Sequence, residues 1–304
     1  MHLSPVFVAR VTRCRCVGLR NPMYQRHIGG KPVQSWLNCV KPGARSTGRH
    51  SELIGNRTTA WMQEQLPSRI LAVARQVAQN AAMIRFDSQG YFITGSDTDV
   101  GKTYIACEIV RQLCQRGVKV ETRKPAESGC IESGNGILIT HDAAALQQAN
   151  ASRETLERIN PYRYRAALAP HRAARLEGQT IKLQALIDAC SRDDPAHCLI
   201  VEGAGGFYSP LAEDGRNADL ASALQLPVII VVNDRIGAVN QALMTLQVVK
   251  SRQLQVAAVI LNEVTAITER DMDNATDLLP YCDCPIFCCG FNAELAPIFD
   301  GNDG

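Results

Sequence analysis

The chain has 304 residues, of which 46% are hydrophobic and 20% charged, with 32 Lys and Arg against 30 Asp and Glu. This composition is typical of a soluble protein with one or two packed domains, and it excludes a disordered chain, a collagen and a coiled coil. The apolar runs are far shorter than the ~20 residues that a membrane-spanning helix needs, so we expect no membrane association.

The basic residues are concentrated at the amino-terminal end. Residues 1–82 carry twelve Lys and Arg but only two acids, Glu52 and Glu64, and they show no sustained apolar face. Three interpretations are open: an organellar transit peptide, an arm that binds nucleic acid, or a stretch that precedes a native start at Met83. We favour the third, with residues 1–82 a disordered or non-native extension, residues 83–304 the folded domain, and no nucleic-acid partner.

From Met83 onward, short apolar runs alternate with amphipathic stretches. This alternation predicts an α/β fold with a mainly parallel sheet and crossover helices. Strands as apolar as residues 228–232 indicate that helices cover both faces of the sheet, which gives three layers. The predicted strands are residues 91–94, 118–123, 198–201, 228–232, 257–261 and 286–288, and the predicted helices are residues 103–116, 142–148, 183–191, 217–224, 239–253 and 269–279.

The first predicted strand leads into a glycine-containing loop and then into a helix, which is the order of a P-loop. Residues 95–103 read GSDTDVGKT. In such a loop the backbone amides bind phosphate oxygens, Lys102 reaches the β- and γ-phosphates, and the Thr103 hydroxyl binds Mg²⁺. The loop is one residue longer than the usual motif, with Ser96 in the place of the first glycine, which indicates a further role for residues 97–99.

Other residues with chemical meaning lie at the ends of predicted elements. Lys124 follows the second strand, at the edge where open α/β sheets bind ligands, and Ser128 is close enough in sequence to contact the same ligand. Glu202 follows a buried strand, the position of an acid that holds Mg²⁺ beside a P-loop. Asp142 opens a helix, where an N-cap role and metal ligation are both open.

Two further positions give weaker signals. Asn262 precedes Glu263 at the end of a strand, and an amide there could offer a donor and an acceptor to an adenine edge. Asn240 lies at the start of a long helix, whose positive amino end could bind a carboxylate.

Residues 91–262 resemble the dethiobiotin synthetase family. The matching strings are TGSDTDVGKT at 94–103, KP at 124–125, SG at 128–129, NPY at 160–162, PH at 170–171 and VEGAGG at 201–206. The elongated loop is the most specific of them. The resemblance implies an ATP-dependent cyclo-ligase that takes up 7,8-diaminononanoate and CO2 or bicarbonate as a carbamate. ATP phosphorylates that carbamate to a carbamic-phosphoric anhydride, and ring closure gives dethiobiotin, ADP and phosphate.

The twelve irregularly spaced cysteines favour reduced thiols and a cytoplasmic location, or an organellar one if residues 1–82 are a transit peptide. The resemblance also implies roles for individual residues and a homodimer with the substrate site at its interface. Lys124 and Lys102 would be catalytic. The implied ATP site comprises Asp99, Val100, Gly101, Lys102, Thr103, Tyr104, Asp142, Glu202, Gly203, Ala204, Gly205, Asn262 and Glu263. Substrate contacts are implied for Thr98, Ser128 and Asn240, and Mg²⁺ ligation for Thr103, Asp142 and Glu202.

Two other functions compete with this one. A P-loop small-molecule kinase could use Lys124 for transfer to a hydroxyl, but its product would be a phosphorylated substrate and not free phosphate. A partitioning-type switch ATPase carries a signature lysine five residues before the P-loop lysine, and Asp97 occupies that position here.

Overall fold

The computed structural model describes residues 83–87, 89–133, 136–151, 154–266 and 271–300. The extension predicted for residues 1–82 lies outside them and stays a prediction. The strands are β1 (Gly90–Gly95), β2 (Val120–Arg123), β3 (Ala126–Ser128), β4 (Ile131–Glu132), β5 (Leu138–Ile139), β6 (Tyr162–Tyr164), β7 (Cys198–Gly206), β8 (Pro210–Ala212), β9 (Gly215–Arg216), β10 (Val228–Asn233), β11 (Val256–Asn262) and β12 (Ile286–Cys289).

The helices lie between these strands. They are α1 (Lys102–Gln115), α2 (His141–Asn150), α3 (Leu156–Ile159), α4 (Pro170–Leu176), α5 (Leu183–Ala189), α6 (Asn217–Leu224), α7 (Ala238–Ser251) and α8 (Asn274–Leu278), and α8 continues into a 3₁₀ turn, Leu279–Tyr281. None of the described helices is both long and apolar enough to span a bilayer.

Six strands form the central sheet, in the order β12-β11-β10-β1-β7-β2. Every neighbouring pair is parallel. Successive side chains of β1 point to opposite faces, so Phe92 packs in one hydrophobic cluster and Ile93 in another. Helices α1 and α2 contribute Ile105 and Leu146 to the cluster around Ile93, whereas α7 contributes Leu246 to the other. The three-layer α/β fold with a mainly parallel sheet is therefore confirmed.

The six predicted strands are all present in the central sheet. The six predicted helices are also present, of which residues 217–224 have the predicted ends and the other five have shifted ends. The clearest differences concern β7, which continues past residue 201 to Gly206, and the last helix. That helix begins at Asn274 and not at residue 269, because the carboxylate of Asp273 accepts the backbone N–H of Thr276 and caps it. Residues 267–270 are outside the described part of the chain.

The sequence patterns missed several short elements. Helices α3 and α4 were not predicted, and neither were the small two-stranded sheets β3-β6, β4-β5 and β8-β9. The strand β3 matters most for the site, because it follows Lys124 directly and carries Glu127 and Ser128.

Parallel strands end at one edge of the sheet, so β1, β2, β7 and β11 deliver their carboxyl ends to the same side. The register confirms this, because Gly95 at the end of β1 lies opposite Gly206 of β7 and Val231 of β10. The loop after β1, Lys124 after β2, and Asn262 at the end of β11 all belong to this edge.

Candidate active site

The loop between β1 and α1 has a backbone that only glycine fits at one position. Gly101 is the N-cap of α1 and has a φ of 84°, in the left-handed region that favours glycine. A Cβ atom added there would lie 2.2 Å from Asn262 Nδ2. Asn262 donates a hydrogen bond from Nδ2 to the Val100 carbonyl at 3.0 Å. Asn262, at the end of β11, thus holds the loop in place. It does so with the side-chain nitrogen that we expected to contact an adenine edge.

Lys102 is almost completely buried, and its ammonium lies under the loop. Its Nζ donates a hydrogen bond to the Asp97 carbonyl at 3.0 Å, and only 7% of the residue is exposed. Burial lowers the pKa of Lys102, and the positive charge of Lys124 lowers it further. A buried ammonium with a lowered pKa, close to a second cation, is an environment that an anionic ligand would stabilise.

Four side chains from four different elements converge beside the loop. The Thr103 hydroxyl donates to Glu202 Oε1 at 2.8 Å. Lys124 Nζ lies 2.6 Å from the same Glu202 oxygen and 2.7 Å from Asp142 Oδ2, and it also donates to the Gly203 carbonyl at 3.2 Å. Lys124 therefore links β2, α2 and β7 at one point.

The protonation states of this group follow from burial and from the close charges. Burial alone would lower the pKa of Lys124, but Glu202 and Asp142 raise it above its ordinary value, so Lys124 is charged. Burial raises the pKa of Glu202, which is fully buried. Burial also acts to raise the pKa of Asp142, but the charge and hydrogen bond of Lys124 outweigh it and the pKa is lowered. Asp142 is thus the acid that carries the negative charge most readily.

The oxygen atoms of Thr103, Asp142 and Glu202 fit a divalent cation. Glu202 Oε2 is buried and has no hydrogen-bond partner in the described part of the chain, and a buried carboxylate oxygen needs a partner. Mg²⁺ prefers a few carboxylate and hydroxyl oxygens together with phosphate oxygens. These are also the acids that Lys124 contacts, so a bound cation and Lys124 would share them.

Asp142 is not the N-cap of α2, so that interpretation was wrong. The helix begins at His141 with Thr140 as its N-cap, and Asp142 lies in the first turn with its carboxylate on Lys124. Glu127 accepts the backbone N–H groups of Asp142 and Ala143 instead. Sequence reasoning missed Glu127, because its partners are 15 and 16 residues away and no local pattern connects them.

The turn after Glu202 is held from α6. The carboxamide of Asn217 accepts the Ala204 N–H at 3.0 Å and donates to the carbonyls of Ala204 and Gly206 at 2.7 and 3.1 Å. Gly205 adopts a φ of 74° close to Thr98 Oγ1, which lies 3.6 Å from the position of an added Cβ. Of the predicted residues 203–205, Gly205 therefore lies beside the loop, and the Gly203 carbonyl contacts Lys124.

Three other predicted residues have hydrogen-bond partners outside this group. Ser128 Oγ donates to the Leu168 carbonyl at 2.6 Å. The Tyr104 hydroxyl donates to the Ala293 carbonyl at 2.7 Å, and Glu263 Oε2 accepts the Phe291 N–H at 3.2 Å. Thr98 and Asp99 are exposed on the loop, and Asp99 has a φ of 56°.

Asn240 is separate from this group. It is exposed in α7, and its amide lies 3.6 Å from Met244 Sδ. Within the described residues of this one chain, the structure shows no hydrogen bond between Asn240 and the loop or Lys124.

A second group of acids, Glu121, Glu154 and Asp193, has oxygens close enough together to hold a metal ion. The guanidinium of Arg123 lies among them, however, with Nη2 2.7 Å from Glu121 and 3.6 Å from Asp193 and with Nη1 on Glu154. Because all three acids already pair with Arg123, and Asp193 also pairs with Arg158, we assign no metal to this cluster.

Comparison with known proteins gives one consistent result. Residues 89–289 match a family model described as an AAA domain. The ATP-dependent dethiobiotin synthetase BioD of Ruthia magnifica is 39% identical over 176 residues, which cover 58% of this chain and 80% of that protein. The enzymes of the same name from Anaeromyxobacter dehalogenans and Yersinia pestis are 41% and 36% identical, over 57% and 64% of this chain and 76% and 82% of theirs.

Proposed function

This chain belongs to the ATP-dependent dethiobiotin synthetase family, and from that premise we propose that it closes the ring of dethiobiotin from 7,8-diaminononanoate and CO2 at the expense of ATP. The observation that carries the proposal is the convergence of Lys102 and Lys124 at the end of the elongated loop. One ammonium beside the loop suits a triphosphate, and a second suits an acceptor that is itself an anion.

The reaction has two steps that the site must support. A carbamate oxygen attacks the γ-phosphorus, and the bond from that phosphorus to the bridging oxygen of ADP breaks. The second amine of the substrate then attacks the carbamoyl carbon, the bond to the phosphate oxygen breaks, and the amine loses its proton. Both leaving groups are anions, so fixed positive charge stabilises both transition states.

Lys102 and Lys124 would supply that charge. The loop amides and Lys102 would bind the phosphates of ATP at the amino end of α1. Lys124 would lie between the transferring phosphoryl group and the carbamate oxygen. Its charge is already assured by Asp142 and Glu202, which raise its pKa in spite of its burial.

Thr103, Asp142 and Glu202 would hold Mg²⁺. The ion would neutralise phosphate charge when ATP is bound. The buried, unpartnered Glu202 Oε2 supports this assignment. Asn262 and Glu263 would form the side of the site near the base, together with the segment that Tyr104 and Glu263 contact.

Substrate contacts belong to Thr98 and Ser128 in one chain and to Asn240 of a second copy. The support for a homodimer is the surface around Asn240. Ile236, in the turn that precedes α7, is 72% exposed, and Met244, one helical turn after Asn240, is 63% exposed. If this surface is the interface, Met244→Glu should give a monomer in analytical ultracentrifugation and a higher KM for the diamine, whereas a dimeric Met244→Glu protein would contradict the assignment.

The test of function is release of phosphate from ATP with diaminononanoate and bicarbonate, each omitted in turn. We expect equal amounts of dethiobiotin, ADP and phosphate, and no product without all three substrates. A phosphorylated diamine with no free phosphate would establish a kinase instead. Phosphate release that is independent of the diamine would favour a switch ATPase.

A further inference from the structure

The first turn of α2 needs hydrogen-bond acceptors that its own side chains do not supply. Thr140 occupies the N-cap position without a side-chain hydrogen bond to the helix. The carboxylate of Asp142 points to Lys124 Nζ, 2.7 Å away, and so does not cap the turn. Because the first amides of a helix have no partner within it, they need an acceptor from outside the helix.

Glu127 supplies this acceptor from β3. Its Oε1 accepts the Asp142 N–H at 3.0 Å and its Oε2 accepts the Ala143 N–H at 3.1 Å. Only 6% of the residue is exposed. A carboxylate at the positive end of a helix, with one backbone amide on each oxygen, is held by its charge as well as by its hydrogen bonds.

These contacts connect Glu127 to Lys124 through Asp142. Lys124 and Glu127 are three residues apart on the segment from β2 into β3. The side chain of Glu127 binds the backbone of the residue whose carboxylate contacts Lys124. The start of α2 therefore cannot move away from Lys124 unless the bonds to Glu127 break first.

We propose that Glu127 is a positioning residue for the metal site. It holds the backbone of Asp142 so that Asp142 presents its carboxylate to a divalent cation together with Thr103 and Glu202. This inference rests on the metal role proposed above for Asp142, but not on the identity of the organic substrate. Glu127 acts through Asp142, and its replacement changes the site by letting the start of α2 shift.

The test is Mn²⁺ binding in the presence of ADP, followed by electron paramagnetic resonance, with the Tm recorded for each variant. Glu127→Gln keeps the size of the side chain but removes its charge and replaces one acceptor oxygen with an NH2 group. We expect Mn²⁺ affinity to fall about 10- to 100-fold, which is the typical effect of removing a residue that orients a metal ligand. Glu127→Asp keeps the charge but is shorter, so its loss should be smaller than that of Glu127→Gln.

Glu121→Gln is the matched control. Glu121 is also buried, and its two oxygens accept two consecutive backbone amides, those of Asp193 and Asp194, at 2.8 and 2.9 Å. Asp193 and Asp194 are remote from Asp142 in sequence and precede the amino end of β7, whereas Glu202 lies toward its carboxyl end. We expect Glu121→Gln to lower the Tm and to leave Mn²⁺ affinity unchanged.

A double-mutant cycle with Asp142→Asn separates positioning from general loosening of the fold. If Glu127 acts through the Asp142 carboxylate, Glu127→Gln should weaken Mn²⁺ binding by less than about twofold in the Asp142→Asn background, because effects are not additive within one unit. An undiminished loss in that background, wild-type Mn²⁺ affinity in either Glu127 variant, or an equal loss in Glu121→Gln would overturn the proposal.

The same measurements distinguish this proposal from the proposed function. Wild-type protein that binds Mn²⁺ with ADP but forms no dethiobiotin would refute the function and leave the role of Glu127 intact. Wild-type protein that does not bind Mn²⁺ would overturn the role of Glu127. If Glu127→Gln is insoluble, Glu127→Asp carries the test, and wild-type Mn²⁺ affinity in that variant is the contradicting result.

Discussion

Lys124 is a charged side chain in a position that is 2% exposed, and such a charge is tolerated only when it is paired. Its partners are Glu202 and Asp142. Lys124→Ala should therefore cost stability, but less than the about 3–5 kcal/mol of a broken buried pair, because the raised pKa of Glu202 lets that acid take up a proton.

In turnover, Lys124→Ala should lower kcat by about 10²- to 10³-fold, the usual cost of one lost group that stabilises charge in a transition state. Nucleotide affinity should change little, because the loop and Lys102 remain. Lys102→Ala should instead lose ATP binding, which calorimetry would show. Wild-type kcat in a folded Lys124→Ala enzyme would rule out the catalytic role.

The two lysines should also differ in their response to pH. Burial and the charge of Lys124 lower the pKa of Lys102, so as pH rises Lys102 loses its proton before an ordinary lysine would. ATP affinity should therefore decline on the alkaline side, while Lys124, whose pKa is raised by Glu202 and Asp142 against the effect of burial, stays charged.

Calorimetric titration of ATP from neutral to alkaline pH checks this expectation. Lys102→Arg is the control, because a guanidinium keeps its charge throughout the range and its affinity should stay level. An identical alkaline decline in Lys102→Arg would assign the titration to another group.

Helix α6 and the end of β7 depend on one another through Asn217. Its side chain is fully buried and makes hydrogen bonds with Ala204 and Gly206, which follow the candidate metal ligand Glu202. Asn217→Ala removes these three hydrogen bonds, and of the backbone groups concerned the Gly206 carbonyl keeps the Ser209 N–H as a partner. The free energy of unfolding should therefore fall by about 1–3 kcal/mol. Urea unfolding with an unchanged m value would show this directly.

The exposed Gln184 gives the control for that variant, because the hydrogen bond of its side chain within the described part of the chain is to Asp188, one turn away in α5. Gln184→Ala should change stability by less than about 0.5 kcal/mol. A similarly small effect of Asn217→Ala would mean that the turn after Glu202 is held by other contacts.

The elements that the sequence predicted are those with a strong local signal. Strands such as β10 are apolar throughout, and α1 follows a P-loop motif, so composition and spacing were sufficient. The pairs β3-β6 and β8-β9 have only two or three residues in each strand. In β3-β6 the paired residues Ala126 and Tyr162 are far apart in sequence, and no period can be read from so short a strand.

The sequence predicted the positions of the site residues but not the contacts between them. Because parallel strands end at one edge, Lys124 and Glu202 could be expected near the loop from their positions alone. The sequence did not show that the Lys124 ammonium bridges Glu202 and Asp142, or that Asn262 contacts the loop backbone at Val100. Those contacts depend on how α2 and β11 pack, which a single sequence leaves open. The roles of these residues stay predictions.

The first described residues of the chain contact the last ones near Ile84. Its backbone N–H donates to the Ile298 carbonyl at 2.7 Å, its carbonyl accepts the Asp300 N–H at 3.0 Å, and its side chain is 4% exposed. Phe86 adds an edge-to-face contact with Phe299. The segment just after Met83 thus belongs to the fold, although the candidate site uses none of it.

Two truncations distinguish the effect of residues 1–82 from that of the contacts made by Ile84 and Phe86. Removal of residues 1–82 should leave the rate and the Tm of the enzyme unchanged, because every residue assigned to the site lies after residue 94.

Removal of residues 1–87 also deletes Ile84 and Phe86, and the loss of a buried Ile side chain alone corresponds to about 1.5–3 kcal/mol. The second truncation should therefore unfold at a lower temperature while its rate per folded molecule is unchanged. Thermal unfolding and phosphate release, measured on both proteins, provide the comparison. Loss of activity in a soluble protein that lacks only residues 1–82 would show that the extension is part of the enzyme.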